Sequence, residues 1–551
     1  MLAVQALHLG EQPLEGFGVP PLPAARRRPR IVRLGQRGLG QHLTDGGEPR
    51  FAQRLGATVT LDRPLQIAPE AGSIQTVAQM AGHVREMSAR LWAAGVRTGD
   101  RVAIHKTDNF DIALLACATA RIGAVPVLLS AELDTTNLAI LLRRLDRPWL
   151  VTDSAKLDTI PAPLPPTRGV LLCAGDERPD TVPLRRYDGA AVPEPVRPPE
   201  DSPGFITHTS GTTDVPKLVV QNYRALWYRF APQKVIAWPI RRRETFALAM
   251  SFVHARFYSA LGLALAYGNP LVIAVDARPE NIGPLFARTR PGYVETQPNT
   301  FVAWEDLADA EGGPLSNVRY YFATFDAMHP RTIARLLNAS KRRSPRFIQV
   351  YGQTETGPVT GRWYSRRRVG RGDGRNVGWP LPGLVRFRVV TEDGRRARRG
   401  ELGYLEVNHH GRAATYLAEE DRFRRQLTDG KWWRMGDVGY RDRLGRIHLL
   451  DREIDRIDSV GSNLEVEDAL LSRLPELREV VVVAGPDGKA VPVVATRGEV
   501  PLDLDRWRQA TSDLPALEPP VQIRFDELPR TATWKIRRPE LGRLLQEQRH
   551  G

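Results

Sequence analysis

Residues 205–220 read FITHTSGTTDVPKLVV. Inside this run Thr207, Thr209, Ser210, Gly211, Thr212 and Thr213 are small hydroxylated or glycine positions, and Pro216 and Lys217 follow at once. Hydroxyls, free backbone N–H groups and one ammonium gathered this closely are what a polyphosphate needs. The spacing is not G-x-x-x-x-G-K-[ST], because no second glycine stands between Gly211 and Lys217. An ordinary P-loop is therefore excluded. On its own the run also suits a threonine-rich turn between two strands, and the segments on either side decide between the two.

Upstream, SIQTVAQMAGHVREMSARLWAAGV starts at Ser73 and carries Val77, Met80, Ala81, Val84, Met87 and Leu91 at helical spacing. RTGDRVAIH reads as a turn and strand, Phe110 to Ile122 as a helix, GAVPVLLS as a buried strand, Thr135 to Leu145 as a helix and WLVTD as a strand. Such alternation predicts a parallel sheet with crossover helices. Asp158 to Pro203 is proline-rich and reads as a connector holding the short strand GVLLCA. Downstream, FALAMSFVHA reads as a strand ending at His254, followed by a helix from Arg256 to Tyr267. PLVIAV, GYVETQP, VRYYFAT and FIQVYGQTETG supply the strands of a second α/β layer. The last of these delivers Tyr351, Gly352, Gln353, Thr354 and Glu355 to its carboxyl end, where open α/β sheets bind ligands. Gly378 to Val407 predicts a small antiparallel barrel, and Gly430 to Arg452 a hairpin pair. The fold class is therefore α/β: a large domain over 46–450 made of two α/β subdomains and a small β-barrel, a hinge at 451–455, and a small α+β domain over 456–551. Residues 1–45, low in periodicity and proline-rich, predict a disordered extension.

Composition narrows the classes of function. The chain has 551 residues, 42% of them hydrophobic, and only two cysteines, Cys117 and Cys173. That excludes a disulfide framework or a cysteine-based zinc site and fits a reducing cytoplasm. No secretory signal pattern opens the chain, and Gly268-Asn269-Pro270 breaks its longest uncharged run, so no membrane span is expected. The formal net charge is +15, yet only eight of the 78 basic residues are lysines; the rest are arginines spread along the whole chain without a nucleic-acid-binding signature. A nucleic-acid partner is not expected. Two of those eight lysines, Lys217 and Lys535, fall inside motifs.

Five segments in order, the run at 205–220, MSFVHA, VYGQTETG, MGDVGYRD and LPRTATWKI, resemble the signatures of the adenylate-forming (AMP-binding) superfamily of acyl-CoA synthetases, aryl-CoA ligases and peptide-synthetase adenylation domains. The resemblance covers about residues 50 to 545. It implies that Thr209, Ser210, Gly211, Thr212, Thr213 and Lys217 hold the β and γ phosphates of ATP. It further implies that Glu355 ligates Mg²⁺, that Thr354 contacts the α phosphate, and that Tyr351, with Gly352 and Gln353, meets the adenine. Asp437 and Arg452 correspond to ribose or phosphate contacts, His254 to the gate where the acid enters, and Lys535 to the catalytic lysine that bridges carboxylate and α phosphate. ATFDAM places Phe325 and Asp326 in the nucleotide-binding set. Thr324 and Phe325 stand where the family has a glycine pair, which predicts a bulkier pocket floor and a short or planar acid.

The implied reaction joins a small carboxylic acid to AMP with release of pyrophosphate, then passes the acyl group to the thiol of CoA. The chain also departs from the family pattern. Asp214 and Leu218 replace glycines beside the phosphate cradle, Asp451 replaces the glycine before Arg452, Trp534 replaces the glycine before Lys535, and GSNL runs straight into EVEDALL where relatives have about three more residues lining the thiol channel. Two alternatives therefore stand beside the CoA ligase. One is a stand-alone adenylating enzyme that hands its activated group to a carrier protein, a nitrogen centre or another acceptor; the other is a catalytically degenerate ATP-binding relative.

Overall fold

The alternating segments ahead of the threonine-rich run form a parallel sheet. The computed structural model describes residues 56–160, 163–209, 215–237, 244–324, 328–369, 374–485, 487–531 and 536–550; the expected extension at 1–45 lies outside them. Arg101–Ile104, Val125–Leu128, Trp149–Asp153, Gly169–Ala174 and Thr181–Pro183 run parallel, and Pro203–His208 joins the edge of Val125–Leu128. The helix Val77–Ala93 buries the apolar residues its spacing predicts. It is closed at its start by a capping box: Thr76 Oγ1 accepts from Gln79 N–H at 3.2 Å and Gln79 Oε1 accepts from Thr76 N–H at 2.8 Å. The three residues before it, Ile74–Thr76, are a strand rather than the helix's first turn.

Leu218–Asn222 returns antiparallel to Pro203–His208, with His208 opposite Leu218. The two ends of the opening stretch therefore pair as antiparallel strands, and the phosphate-loop candidate lies between them in sequence. Thr415–Tyr416, from far along the chain, adds to the outer edge of Leu218–Asn222.

The second sheet is built on Leu271–Ile273, Phe246–Ala249, Tyr293–Thr296, Tyr320–Thr324 and Arg346–Gln353, which run parallel. The strand expected over FALAMSFVHA ends at Ala249, short of His254. His254 instead caps the helix Ala255–Tyr267, its Nδ1 accepting from Arg256 N–H at 3.1 Å. Gly357–Tyr364 then folds back on Arg346–Gln353, and Asn376–Pro380, Ile447–Arg452, Trp432–Arg441, Gly403–Asn408 and Arg386–Val390 continue the same sheet antiparallel. Arg386–Val390 pairs with Gly403–Asn408, and Val390 makes an isolated bridge to Arg396. Among the described residues these strands thus extend the large sheet, and a closed small barrel is not shown.

After Arg452 the chain enters a unit with its own core, around Val466, Leu470, Val480, Val482 and Val494. Its sheet has three strands, Leu477–Ala484, Ala490–Thr496 and Val521–Gln522, accompanied by the helices Asn463–Arg473, Leu504–Thr511 and Arg538–His550. Among the described residues no helix is long and apolar enough to cross a membrane.

Candidate active site

The neck of the phosphate-loop candidate is closed by two backbone-anchored hydrogen bonds. Thr209 N–H donates to the Lys217 carbonyl, and Lys217 N–H donates to Thr209 Oγ1, both at 3.0 Å. Below it, His208 Nδ1 donates to the Thr209 carbonyl at 2.8 Å while Nε2 accepts from Ser130 N–H at 3.1 Å. Those partners require the neutral imidazole, and burial holds the His208 pKa below its ordinary value. Ser210, Gly211, Thr212, Thr213 and Asp214 lie outside the described residues.

The Lys217 ammonium sits over the Tyr416 ring, 5.2 Å from its centroid. The Tyr416 hydroxyl in turn donates to Glu355 Oε1 at 2.5 Å. Burial and the facing Glu355 carboxylate raise the Tyr416 pKa, so the phenol stays a hydrogen donor. Behind Glu355, the buried Arg229 guanidinium donates to the Glu355 carbonyl at 2.9 Å, to the Gly411 carbonyl at 2.6 Å and to Gln221 Oε1 at 2.7 Å. Desolvation lowers its pKa to about 10, which leaves it cationic at neutral pH. Lys217 and Glu355 thus meet across one tyrosine ring, as the sequence expects of two groups serving one triphosphate. Sequence reasoning missed Tyr416, Arg229 and Gln221. The one local cue was an arginine and a glutamine held among apolar residues.

Thr354 is half-buried in the turn that follows Arg346–Gln353. Gly352 is required there: a Cβ at this position would lie 2.0 Å from the Gly357 carbonyl oxygen. Tyr351, expected against adenine, is only 7% exposed, and its hydroxyl donates to Asp437 Oδ2. Gln353 Nε2 donates to the Met435 carbonyl, and Gln353 Oε1 accepts from Trp433 Nε1–H at 3.3 Å. Asp437 and Arg452 are cross-strand partners, with Arg452 Nε 4.0 Å from Asp437 Oδ1. The structure therefore brings Tyr351, Gln353, Asp437 and Arg452 together at one strand end, beside Glu355. Phe325, Asp326 and Lys535 lie outside the described residues, as does Trp534.

A second cluster lies on the face of the sheet covered by the helix Ala255–Tyr267. Arg256 Nε and Nη2 make a two-pronged pair with the Glu295 carboxylate, the latter at 2.9 Å, and Arg256 Nη1 donates to Gln233 Oε1. The Tyr293 hydroxyl donates to Glu295 Oε2 at 2.7 Å, and the Arg256 guanidinium stacks 4.7 Å over the Phe322 ring. His254, at the head of that helix, is half-buried. Among the described residues there is no group of three or more His, Cys, Asp and Glu able to hold a metal by itself. Glu355 with phosphate oxygens is the donor set the site offers to a hard cation.

Residues 53–417 match the model of the AMP-binding enzyme family. The chain is 53% identical over 541 residues to the 3-amino-2-hydroxy-4-methoxybenzoate diazotase of Streptomyces cremeus, covering 94% of this chain and 98% of that protein. It is 27% identical to a long-chain-fatty-acid–CoA ligase of Thermus thermophilus, covering 86% of this chain and 90% of the ligase. The fold resembles ATP-bound MatB from Rhodopseudomonas palustris with a TM-score of 0.76 at 20% identity, across 93% of this chain and 99% of that one. Lys217 and Glu355 meeting at Tyr416, the Asp437–Arg452 strand pair beside them and these likenesses in sequence and fold make the chain a member of the adenylate-forming, AMP-binding enzyme family.

Proposed function

We propose that the protein is an ATP-dependent diazotase that activates nitrite as a mixed anhydride with AMP and transfers the nitroso group to an aryl amine. The observation that carries this reading is the 53% identity to a diazotase along 94% of the chain, against 27% to the fatty-acid–CoA ligase. The chemistry fits an adenylating fold. A nitrite oxygen attacks the α phosphorus of ATP, the α–β bridging bond breaks, and pyrophosphate leaves with its electron pair. The amine nitrogen then attacks the nitroso nitrogen, the N–O bond to AMP breaks and AMP departs. The resulting N-nitrosamine takes up the proton lost from the amine and releases water to give the diazonium ion. Nitrite already carries nitrogen at the required oxidation level, so no external oxidant is needed.

In this reading Lys217 and the hydroxyls of residues 209–213 hold the β and γ phosphates, Asp437 and Arg452 the ribose, and Lys535 the charge that builds on the α phosphate, a preorganised donor of the kind worth ~10² to 10³ in rate. Glu355, oriented by Tyr416, is the ligand for Mg²⁺, which when bound neutralises phosphate charge. Transfer to CoA is the competing outcome. The nearly direct passage from Gly461 through the cap Ser462 into the helix Asn463–Arg473 supports an acceptor other than that thiol.

The test is ATP–pyrophosphate exchange with nitrite and with a panel of carboxylic acids, followed by mass analysis of products with an aminohydroxybenzoate or with CoA. Nitrite-dependent exchange that falls by orders of magnitude in Lys535→Ala, together with diazonium formation, is expected. Exchange with benzoates but none with nitrite, accompanied by acyl-CoA, overturns the reading.

A further inference from the structure

Tyr293–Thr296 and Tyr320–Thr324 are neighbouring parallel strands with Thr296 opposite Ala323. Side chains alternate along a strand, so Glu295 and Phe322 form one rung on the face toward the helix Ala255–Tyr267, and Gln297 and Thr324 form the next rung toward the carboxyl edge. The lower rung is filled: Arg256 is engaged by Glu295 and Gln233, and Tyr293 closes on the same carboxylate. The upper rung is not. Gln297 is 5% exposed and Thr324 4%, yet Gln297 Oε1 and Thr324 Oγ1 are buried without a hydrogen-bond partner among the described residues. Buried polar atoms are nearly always satisfied, and two such atoms side by side point to a ligand. Thr324 is also opposite Val350, the residue before Tyr351, so the pair borders the nucleotide site.

The chemistry of the pair selects what can bind. The Gln297 amide oxygen only accepts hydrogen bonds, while the Thr324 hydroxyl both accepts and donates, so the pair is matched by a ligand edge that carries an N–H or O–H. The guanidinium nearest the pair is matched by Glu295, which leaves this wall neutral and favours an uncharged amine that keeps its nucleophilic lone pair. We infer that Gln297 and Thr324 form the subsite for the hydrogen-donating edge of the acceptor, the amine and adjacent hydroxyl of an aminohydroxybenzoate. This rests on the diazotase reading and names the part of the acceptor that the protein recognises.

The experiment is calorimetric titration of the full chain with 3-amino-2-hydroxy-4-methoxybenzoate and with 2-hydroxy-4-methoxybenzoate, which lacks only the amine. The wild-type protein is expected to bind the amine at least about tenfold tighter, the size of one buried hydrogen-bond partner lost. In Gln297→Leu and Thr324→Val that preference is expected to shrink to within about twofold. Each variant is checked first for an ATP-induced thermal shift, and the wild-type comparison decides alone if a variant does not fold. Equal wild-type affinities, or folded variants that keep the preference, overturn the inference. A wild-type preference for the amine without any nitrite-dependent exchange sinks the diazotase reading and leaves the subsite standing.

Discussion

Tyr416 joins two groups that lie far apart in sequence, donating to the Glu355 carboxylate at 2.5 Å while its ring carries the Lys217 ammonium. A hydrogen bond to an ionised acceptor contributes about 1.5–3 kcal/mol. Tyr416→Phe keeps the ring and removes the donor. It should slow adenylation about tenfold or more, with a rise in the Mg²⁺ concentration needed for half-maximal pyrophosphate exchange; unchanged exchange kinetics would count against the role given to Glu355. At this scale the motif residues were legible. YGQTETG delivered Tyr351, Gln353 and Glu355 because consecutive residues at a strand end share a location. Arg229 was not legible, because its bond to the Glu355 carbonyl spans 126 positions and no local pattern marks it.

At the scale of the element, the strand Ile447–Arg452 and the helix Asn463–Arg473 meet at Asp451. Its carboxylate accepts from Asn463 N–H at 3.0 Å. Burial, assisted by the Glu467 charge, nonetheless raises its pKa to about 7, against the opposing pull of that bond and of Arg538. Arg538 is itself paired with Glu467 through Nη1 at 2.6 Å and Nη2 at 2.9 Å. A carboxyl whose folded pKa exceeds its unfolded value binds more protons in the native state, so its contribution to stability grows as pH falls through 7 and shrinks above it. Between pH 8 and pH 6 that amounts to about 1 kcal/mol. Asp451→Asn, which mimics the protonated form, should therefore be more stable than wild type at pH 8 and lose about 1 kcal/mol of that advantage by pH 6 in denaturant melts. Parallel pH profiles for the two proteins would refute this. The sequence flagged Asp451 as a departure from the family pattern, but its burial against a helix start depends on residues twelve positions away.

At the scale of the whole molecule, the C-terminal unit docks on the large sheet through polar contacts. Arg497 Nη2 lies 2.7 Å from Glu305 Oε2, Arg478 Nη2 3.0 Å from Asp306 Oδ2, and Arg375 Nη1 2.9 Å from Glu465 Oε2. His329 Nε2 lies 3.2 Å from Asp468 Oδ1, and burial pulls its pKa down to about 4. Exposed pairs contribute about 0–1 kcal/mol each, but Glu305 is fully buried, and removing its partner strands a charge. Arg497→Ala should loosen the docking, seen as severalfold faster protease cleavage within 452–463. Cleavage at the wild-type rate would show that Arg497 does not hold the interface.

Sequence by itself determined the alternation of strands and helices, the family and the run of residues delivered to the carboxyl end of Arg346–Gln353. All of these depend on periodicity or on residues adjacent in the chain, which the local backbone carries to one strand end. It also led to a strand running on to His254 and to a small barrel. The strand stops at Ala249 because His254 is taken up in capping the next helix. Among the described residues the strands read as a barrel continue the large sheet, since alternation announces a strand without naming its neighbour. Only the tertiary structure decided what Arg229, Tyr416, Gln297 and Thr324 face. Their partners, or the lack of them, arise when distant segments pack in register, and burial then sets the cost of every polar atom left over.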